Sequence, residues 1–91
     1  MTVRWTEKAA SNLEAIYDYI AEENPAAALN IVSALYIAIE GLVSFPEMGR
    51  PAGSDFPKGT RILVRPPYLI FYHLAERAIV VDSVLHGSRR H

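Results

Sequence analysis

Five side chains in the last third of the chain could together hold and process a phosphate group. Arg61 and Arg65 are four residues apart in a strand-like run, so they project from the same face of a strand. Two guanidinium groups on one face could clamp one phosphate. His86 ends a later strand-like run and is of the residue type that exchanges protons near neutral pH. Arg89 and Arg90 follow it and could add phosphate contacts.

The same residues also have structural explanations, and the sequence leaves both kinds open. Arg61 and Arg65 could form the solvated face of a strand, paired with Asp82 across a sheet. His86 could be a strand-end histidine whose hydrogen bonds are satisfied within the fold. Arg50 lies in a Gly-Arg-Pro segment and could contact either a partner or the backbone of its own loop.

The elements that must position these side chains change from helical to strand-like patterning near the middle of the chain. Apolar residues at three- and four-residue spacing predict an amphipathic helix over residues 7–23, capped by Thr6. Asn24 and Pro25 end this helix and begin a second one over residues 25–44. Because so few residues separate the two helices, they must return antiparallel as a helical hairpin.

The remaining segments predict a sheet. A short strand is expected at residues 3–5, a long ordered loop at residues 45–59, and strands at residues 60–65, 68–75 and 78–86. The last three strands are joined by connections so short that they must form an antiparallel meander. The hairpin and the sheet each offer an apolar face, so the fold class predicted for residues 1–91 is a single two-layer α+β domain.

Composition excludes several classes of function. The chain has 91 residues, 51% of them hydrophobic, with no cysteine and three scattered histidines. A disulfide framework or a thiolate metal site is therefore impossible, and we expect neither a metal nor a cofactor. The N-terminus does not resemble a signal peptide, so we expect a soluble, cytoplasmic protein without membrane association. So small an interior cannot easily hide this much apolar side chain, which predicts a partner that covers part of it.

Charge is distributed unevenly along the chain. Residues 1–47 carry two cations and seven anions, whereas residues 48–91 carry seven cations and three anions, and the net charge is −1. Proteins that bind nucleic acid strongly usually carry a large positive excess, because phosphate contacts dominate their affinity. We therefore expect no strong direct binding to nucleic acid.

The order and spacing of several short segments resemble the ParE branch of the RelE/ParE toxin superfamily over essentially the whole chain. The segments are Trp5, Tyr17-Asp18-Tyr19-Ile20, Asn24-Pro25-Ala26-Ala27-Ala28, Phe45-Pro46-Glu47-Met48-Gly49-Arg50-Pro51, Tyr68-Leu69-Ile70-Phe71-Tyr72 and Val84-Leu85-His86-Gly87 before terminal arginines. The resemblance implies the toxin of a type II toxin–antitoxin pair, neutralised by a small antitoxin of the ParD kind.

Members of this superfamily act in two ways, and the residues favour one of them. RelE-like members resemble ribosome-dependent mRNA endonucleases, a chemistry for which Arg61, Arg65, His86 and Arg89 would be the candidate catalytic residues. ParE-like members resemble protein inhibitors of DNA gyrase and need no catalytic set. The net charge of −1 and the lack of loop lysines other than Lys58 favour gyrase inhibition. The expected target-binding residues are Arg50, Arg61, Arg65, His86, Arg89 and Arg90.

The apolar excess and the uneven charge also predict how the antitoxin binds. An amphipathic helix would lie against the helical hairpin, and an extended segment would add to a sheet edge. Basic side chains of the antitoxin would meet the acidic hairpin, and acidic ones would cover the arginines. The hairpin residues expected to contact it are Leu13, Ile16, Tyr17, Ile20, Leu35 and Ile39.

Overall fold

A computed structural model describes residues 1–89 and shows two helices and five strands. The elements in chain order are β1 (Thr2–Trp5), α1 (Glu7–Ala21), α2 (Pro25–Glu40), β2 (Arg50–Pro51), β3 (Arg61–Arg65), β4 (Tyr68–Ala75) and β5 (Ala78–His86). Single 3₁₀ turns follow α2 at Gly41–Val43 and β5 at Gly87–Arg89. The predicted strand–hairpin–meander order is confirmed.

Both helices begin where side-chain caps were predicted. The Thr6 hydroxyl accepts a hydrogen bond from the Ala9 amide at 3.0 Å, and the Asn24 side-chain oxygen accepts one from the Ala27 amide at 3.0 Å. Helix α1 ends two residues earlier than predicted. Helix α2 gives way after Glu40 to the 3₁₀ turn, so the predicted second helix was four residues too long.

The sheet has the strand order β1-β5-β4-β3-β2. β1 is parallel to β5, and the other neighbours are antiparallel. Two features were not predicted from the sequence. The short strand β2 lies inside the segment expected to be loop, and a bulge interrupts the β4–β5 ladder, because Phe71 pairs with Ser83 and Tyr72 with Val81, leaving Asp82 as the extra residue.

The helices pack on one face of the sheet and enclose the core. Its largest fully buried side chains come from both layers and include Ile39, Leu42, Ile70, Tyr72 and Ile79. The opposite face is covered in part by the loop before β3, where Phe56 stacks on Phe71 with ring centroids 5.1 Å apart. The sheet is therefore buried on one face and half covered on the other.

Helix α2 and its 3₁₀ turn are the most apolar segment of the chain. Residues Pro25–Val43 have a mean hydropathy of 1.8 and are long enough to cross a membrane by length and composition. This is weak evidence for a span, since a core helix of a soluble protein meets the same criterion. Ala28, Leu35 and Ile39 do face the core, so part of this apolar character serves packing.

Candidate functional site

Arg61 is held by the backbone of the loop that precedes β2. Its Nε donates to the Gly49 carbonyl at 2.7 Å, and its Nη2 donates to the Glu47 carbonyl at 3.3 Å. The side chain is half-buried, and its donors point into the protein rather than to a ligand. Of the two explanations open for Arg61, the structure favours contact within its own fold, although with backbone carbonyls and not with Asp82.

Tyr72 fastens the same loop from the middle of the sheet. Its fully buried hydroxyl accepts a hydrogen bond from the Gly49 amide at 3.0 Å and donates one to the Pro46 carbonyl at 2.7 Å. A Cβ atom at Gly49 would lie 2.8 Å from both the Ile62 carbonyl oxygen and the Tyr72 ring, so this approach requires glycine. Arg61 and Tyr72 together fix residues 46–49 against the sheet, an arrangement called here the loop anchor.

Arg65 lies at the other end of β3 and is exposed. Its Nη1 donates to the Val64 carbonyl at 2.9 Å, and its Nη2 is 3.8 Å from the Met48 sulfur. In the β3–β4 register Arg61 pairs with Tyr72 and Arg65 with Tyr68, so the two arginines share the helix-facing side of the strand. Arg61 binds the Gly49 and Glu47 carbonyls, whereas Arg65 binds the Val64 carbonyl and lies near the Met48 sulfur. The two guanidinium groups therefore do not converge on one site.

His86 lies in the same cross-strand row as Arg65, since both pair with Tyr68. Two strand spacings, about 10 Å, separate their backbones. The His86 Nδ1 accepts a hydrogen bond from the Ser88 amide at 3.2 Å and lies 2.7 Å from the Ser88 hydroxyl. A backbone amide can only donate, so Nδ1 acts as the acceptor in this contact. The ring stands edge-on to Tyr68, with centroids 5.5 Å apart.

The other expected target-binding residues are placed in part. Arg50 is exposed, and its side chain makes no hydrogen bond or ion pair within residues 1–89. It pairs with Ile62 and so lies on the opposite face of the sheet from Arg61. Arg90 and the side chain of Arg89 lie outside the described residues. The described candidates thus come together only as the row that contains Arg65 and His86.

The hairpin residues expected to contact an antitoxin divide into two groups. Leu13, Leu35 and Ile39 are 7%, 3% and 0% exposed and belong to the core, so the structure contradicts their accessibility to a partner. These residues do lie on one side of their helices, as their spacing predicted, but that side packs on the sheet and is not available to a partner. Ile16 and Ile20 are half-buried, and Tyr17 is exposed.

Two surfaces carry exposed apolar side chains that were not singled out in the sequence. The α2 face consists of Leu29, Tyr36 and Ile37, which are 59%, 45% and 73% exposed. The absence of any charged residue between Asn24 and Glu40 was the available signal for it. The second surface consists of Phe45, Met48 and Leu74, beside the loop anchor.

The third feature missed is a pairing between His73 and Asp82. The His73 Nδ1 lies 2.9 and 3.1 Å from the two carboxylate oxygens, and this is the ion pair found within residues 1–89. The predicted pairing of Asp82 with Arg61 or Arg65 is therefore wrong. The bulge in β5 turns Asp82 toward His73, and a bulge cannot be located from strand patterning alone. In the same part of the chain no three His, Asp or Glu residues are grouped to hold a metal ion.

Comparison with known proteins decides the family. The family described as "ParE toxin of type II toxin-antitoxin system, parDE" matches residues 3–91. The chain belongs to the ParE toxin family. It is 34% identical over 87 residues to the protein named Toxin RelE2 of Caulobacter vibrioides, with 96% of each chain covered. The family resemblance drawn from the segments above is confirmed.

Solved structures agree with this assignment. The chain is similar to one in the chromosomal ParDE toxin–antitoxin system from P. aeruginosa, with a TM-score of 0.77, 32% identity, and coverage of 94% of this chain and 95% of that one. It also shares the fold of a chain in the RelBE2 toxin–antitoxin complex from Mycobacterium tuberculosis, with a TM-score of 0.70, 24% identity, and coverage of 93% and 95%. The α+β fold class and the type II toxin assignment follow, and a ParE toxin is a soluble protein.

Proposed function

We propose that this ParE-family toxin acts in the cytoplasm by binding DNA gyrase and inhibiting it through a protein–protein contact. The observation that carries the proposal is the position of the arginines. Cleaving RNA requires cations and an acid or base within hydrogen-bond reach of one reacting phosphate. Here the donors of Arg61 lie on two loop carbonyls, and Arg65 lies about two strand spacings from His86.

The proposed target surface is the end of the sheet that contains Arg65 and His86. The Gly87 amide donates to the Pro67 carbonyl at 2.7 Å, so the turn after β3 and the segment after β5 are held together. Arg89 and Arg90 follow directly in the sequence and are proposed as target-binding residues from the sequence alone. Arg50, on the opposite face of the sheet, would make a separate contact from the edge strand β2, and Arg61 would contribute indirectly, by fixing residues 46–49.

We further propose that a ParD-like antitoxin covers the α2 face. This face is apolar, exposed and uncharged, which suits a helix laid along it. The flanking residues of the hairpin are acidic, with Glu22, Glu23 and Glu40 exposed, so basic side chains in the antitoxin would complement them. Ile16 and Ile20 line a separate cleft beside Tyr68 and His86, where a second part of the antitoxin would meet them and the neighbouring exposed Tyr17. An extended segment of the antitoxin would add to the free edge of β1.

The gyrase proposal is tested by two assays run side by side on the purified toxin. One measures DNA supercoiling by gyrase, and the other measures translation with mapping of mRNA cleavage. We expect inhibition of supercoiling without mRNA cleavage. Cleavage in translating ribosomes with normal supercoiling would instead establish the RelE-type endonuclease, and activity in neither assay would refute both target assignments.

Matched variants locate the surface. Arg65→Ala should weaken gyrase inhibition, whereas Arg4→Ala should not. Arg4 is also exposed, but it lies on the edge strand β1 and pairs with Val80, six residues from His86 along β5. Equal inhibition by wild type and Arg65→Ala would show that this end of the sheet is not the target surface. Addition of the antitoxin should restore supercoiling with wild-type toxin.

A further inference from the structure

A cleft lies on the face of the sheet that the helices do not cover. It has a volume of about 640 Å³, within the range of pockets that hold small molecules. Its apolar part is formed by Phe71, Leu85 and Phe56, with Phe56 stacked on Phe71 in near-parallel orientation at an interplanar angle of 28°. Phe56 is half-buried, and a planar group could stack only on the side of its ring that does not meet Phe71. The cleft is separate from the row that contains Arg65 and His86.

The bulge in β5 gives this cleft its polar groups. Asp82, the extra residue, and Ser83, the partner of Phe71, both line the cleft, together with His73. Since His73 Nδ1 meets the Asp82 carboxylate, Nδ1 carries a proton and Nε2 is left for another partner. The Ser83 hydroxyl makes no hydrogen bond within residues 1–89 and can donate to a ligand.

Two lysines make the cleft positive in a chain whose net charge is negative. Lys8 comes from α1 and Lys58 from the loop before β3, so they approach from different elements. Neither has an acidic partner within 4 Å in the described part of the chain. With the single carboxylate of Asp82 the local charge is positive even when His73 is neutral. An anion with several acceptor oxygens could use both ammonium groups and the imidazole.

We propose that this cleft binds a nucleoside monophosphate. The phosphate meets Lys8, Lys58 and His73, and the base lies against the ring of Phe56. The aromatic wall is the reason to infer a nucleotide rather than a free phosphate, because an inorganic anion gains nothing from it. This inference is independent of gyrase inhibition, since it uses none of the proposed target-binding residues.

The experiment is a titration of the isotopically labelled toxin, followed by amide and imidazole NMR signals. The probes are adenosine 5′-monophosphate, adenosine, inorganic phosphate and a short single-stranded oligoribonucleotide. We expect the monophosphate to bind more tightly than adenosine or phosphate and to shift the signals of Phe56, His73 and Ser83. The double variant Lys8→Ala/Lys58→Ala should raise its Kd about tenfold, whereas Arg4→Ala, outside the cleft, should leave it unchanged. Thermal melting verifies that each variant is folded.

The remaining outcomes overturn the proposal. Equal binding of phosphate and the monophosphate would reduce the cleft to a general anion site. Much tighter binding of the oligoribonucleotide would replace a free nucleotide by a nucleic-acid chain. Binding that is unaffected by the double lysine variant, or no binding by any probe, would show that the cleft is not a nucleotide site.

Discussion

Replacing Tyr72 by phenylalanine tests the loop anchor by removing one oxygen atom from the core. The lost hydroxyl accepts from the Gly49 amide at 3.0 Å and donates to the Pro46 carbonyl at 2.7 Å. Gly49 is buried, so its orphaned amide should cost about 1–3 kcal/mol. Pro46 is only half-buried, so loss of the hydrogen bond to its carbonyl should cost less, about 0.5–1.5 kcal/mol. We expect the free energy of unfolding to fall by about 2–4 kcal/mol.

Tyr68→Phe is the matched control in the same strand. Tyr68 is 8% exposed, and its hydroxyl makes no hydrogen bond within residues 1–89, so its removal should change the free energy of unfolding by less than about 0.5 kcal/mol. Both variants are measured by urea unfolding followed by fluorescence and circular dichroism. For a domain of this size the predicted loss corresponds to a decrease in Tm of roughly 10–25 °C. If the two variants unfold at the same urea concentration, the loop anchor does not stabilise the fold as argued.

Four further predictions concern single features of the molecule. Arg61→Lys keeps the charge but cannot reach both loop carbonyls, so it should destabilise the fold by about 1.5–3 kcal/mol in urea unfolding, and Arg61→Ala should cost at least as much. Thr6→Ala should cost about 1–2 kcal/mol in the same assay, because the hydroxyl caps α1 and also donates to β5 at 3.0 Å. Ile37→Ser should leave stability within about 0.5 kcal/mol and weaken antitoxin binding in calorimetry, while Ser54→Ala, at an exposed position in the loop before β3, should alter neither. Deleting residues 89–91 should lower toxicity in a growth assay with antitoxin binding mostly retained, and full toxicity of the truncated chain would refute the assigned role of the terminal arginines.

The elements of the fold were predictable because their signals are local. Thr6 and Asn24 cap helices through hydrogen bonds to residues three positions away, and these bonds are present. The strands of the meander follow one another through short connections, so their pairing needs little long-range information. The second helix was drawn too long because the same apolar residues suit an α-helix and the 3₁₀ turn that follows it.

The details of the site were not predictable, because each depends on a contact between distant segments. β2 is two residues long and exists only because the loop returns to β3. The Asp82 side chain meets His73 because a bulge shifts the register of β5, and no residue in that strand announces a bulge. Helical spacing identified Leu13 and Leu35 as apolar positions on one side of their helices. It could not tell whether that side faces the sheet or a partner.

The four-residue spacing of Arg61 and Arg65 correctly predicted that they share a strand face, but it did not predict what Arg61 contacts. Both side chains do share one face of β3, but the loop before β2 returns over that face and uses Arg61 as a structural donor. The Arg61 guanidinium group donates to two carbonyls, and a hydrogen bond to a charged group contributes about 1.5–3 kcal/mol to stability. Leaving the loop to bind a ligand would lose that contribution. Of these two arginines, Arg65 is the one left for an external partner, at the end of the strand, where it is exposed in the same cross-strand row as His86. In the proposed function, exposed Arg65 and half-buried His86 would contact another protein and would not stabilise charge on a reacting phosphate.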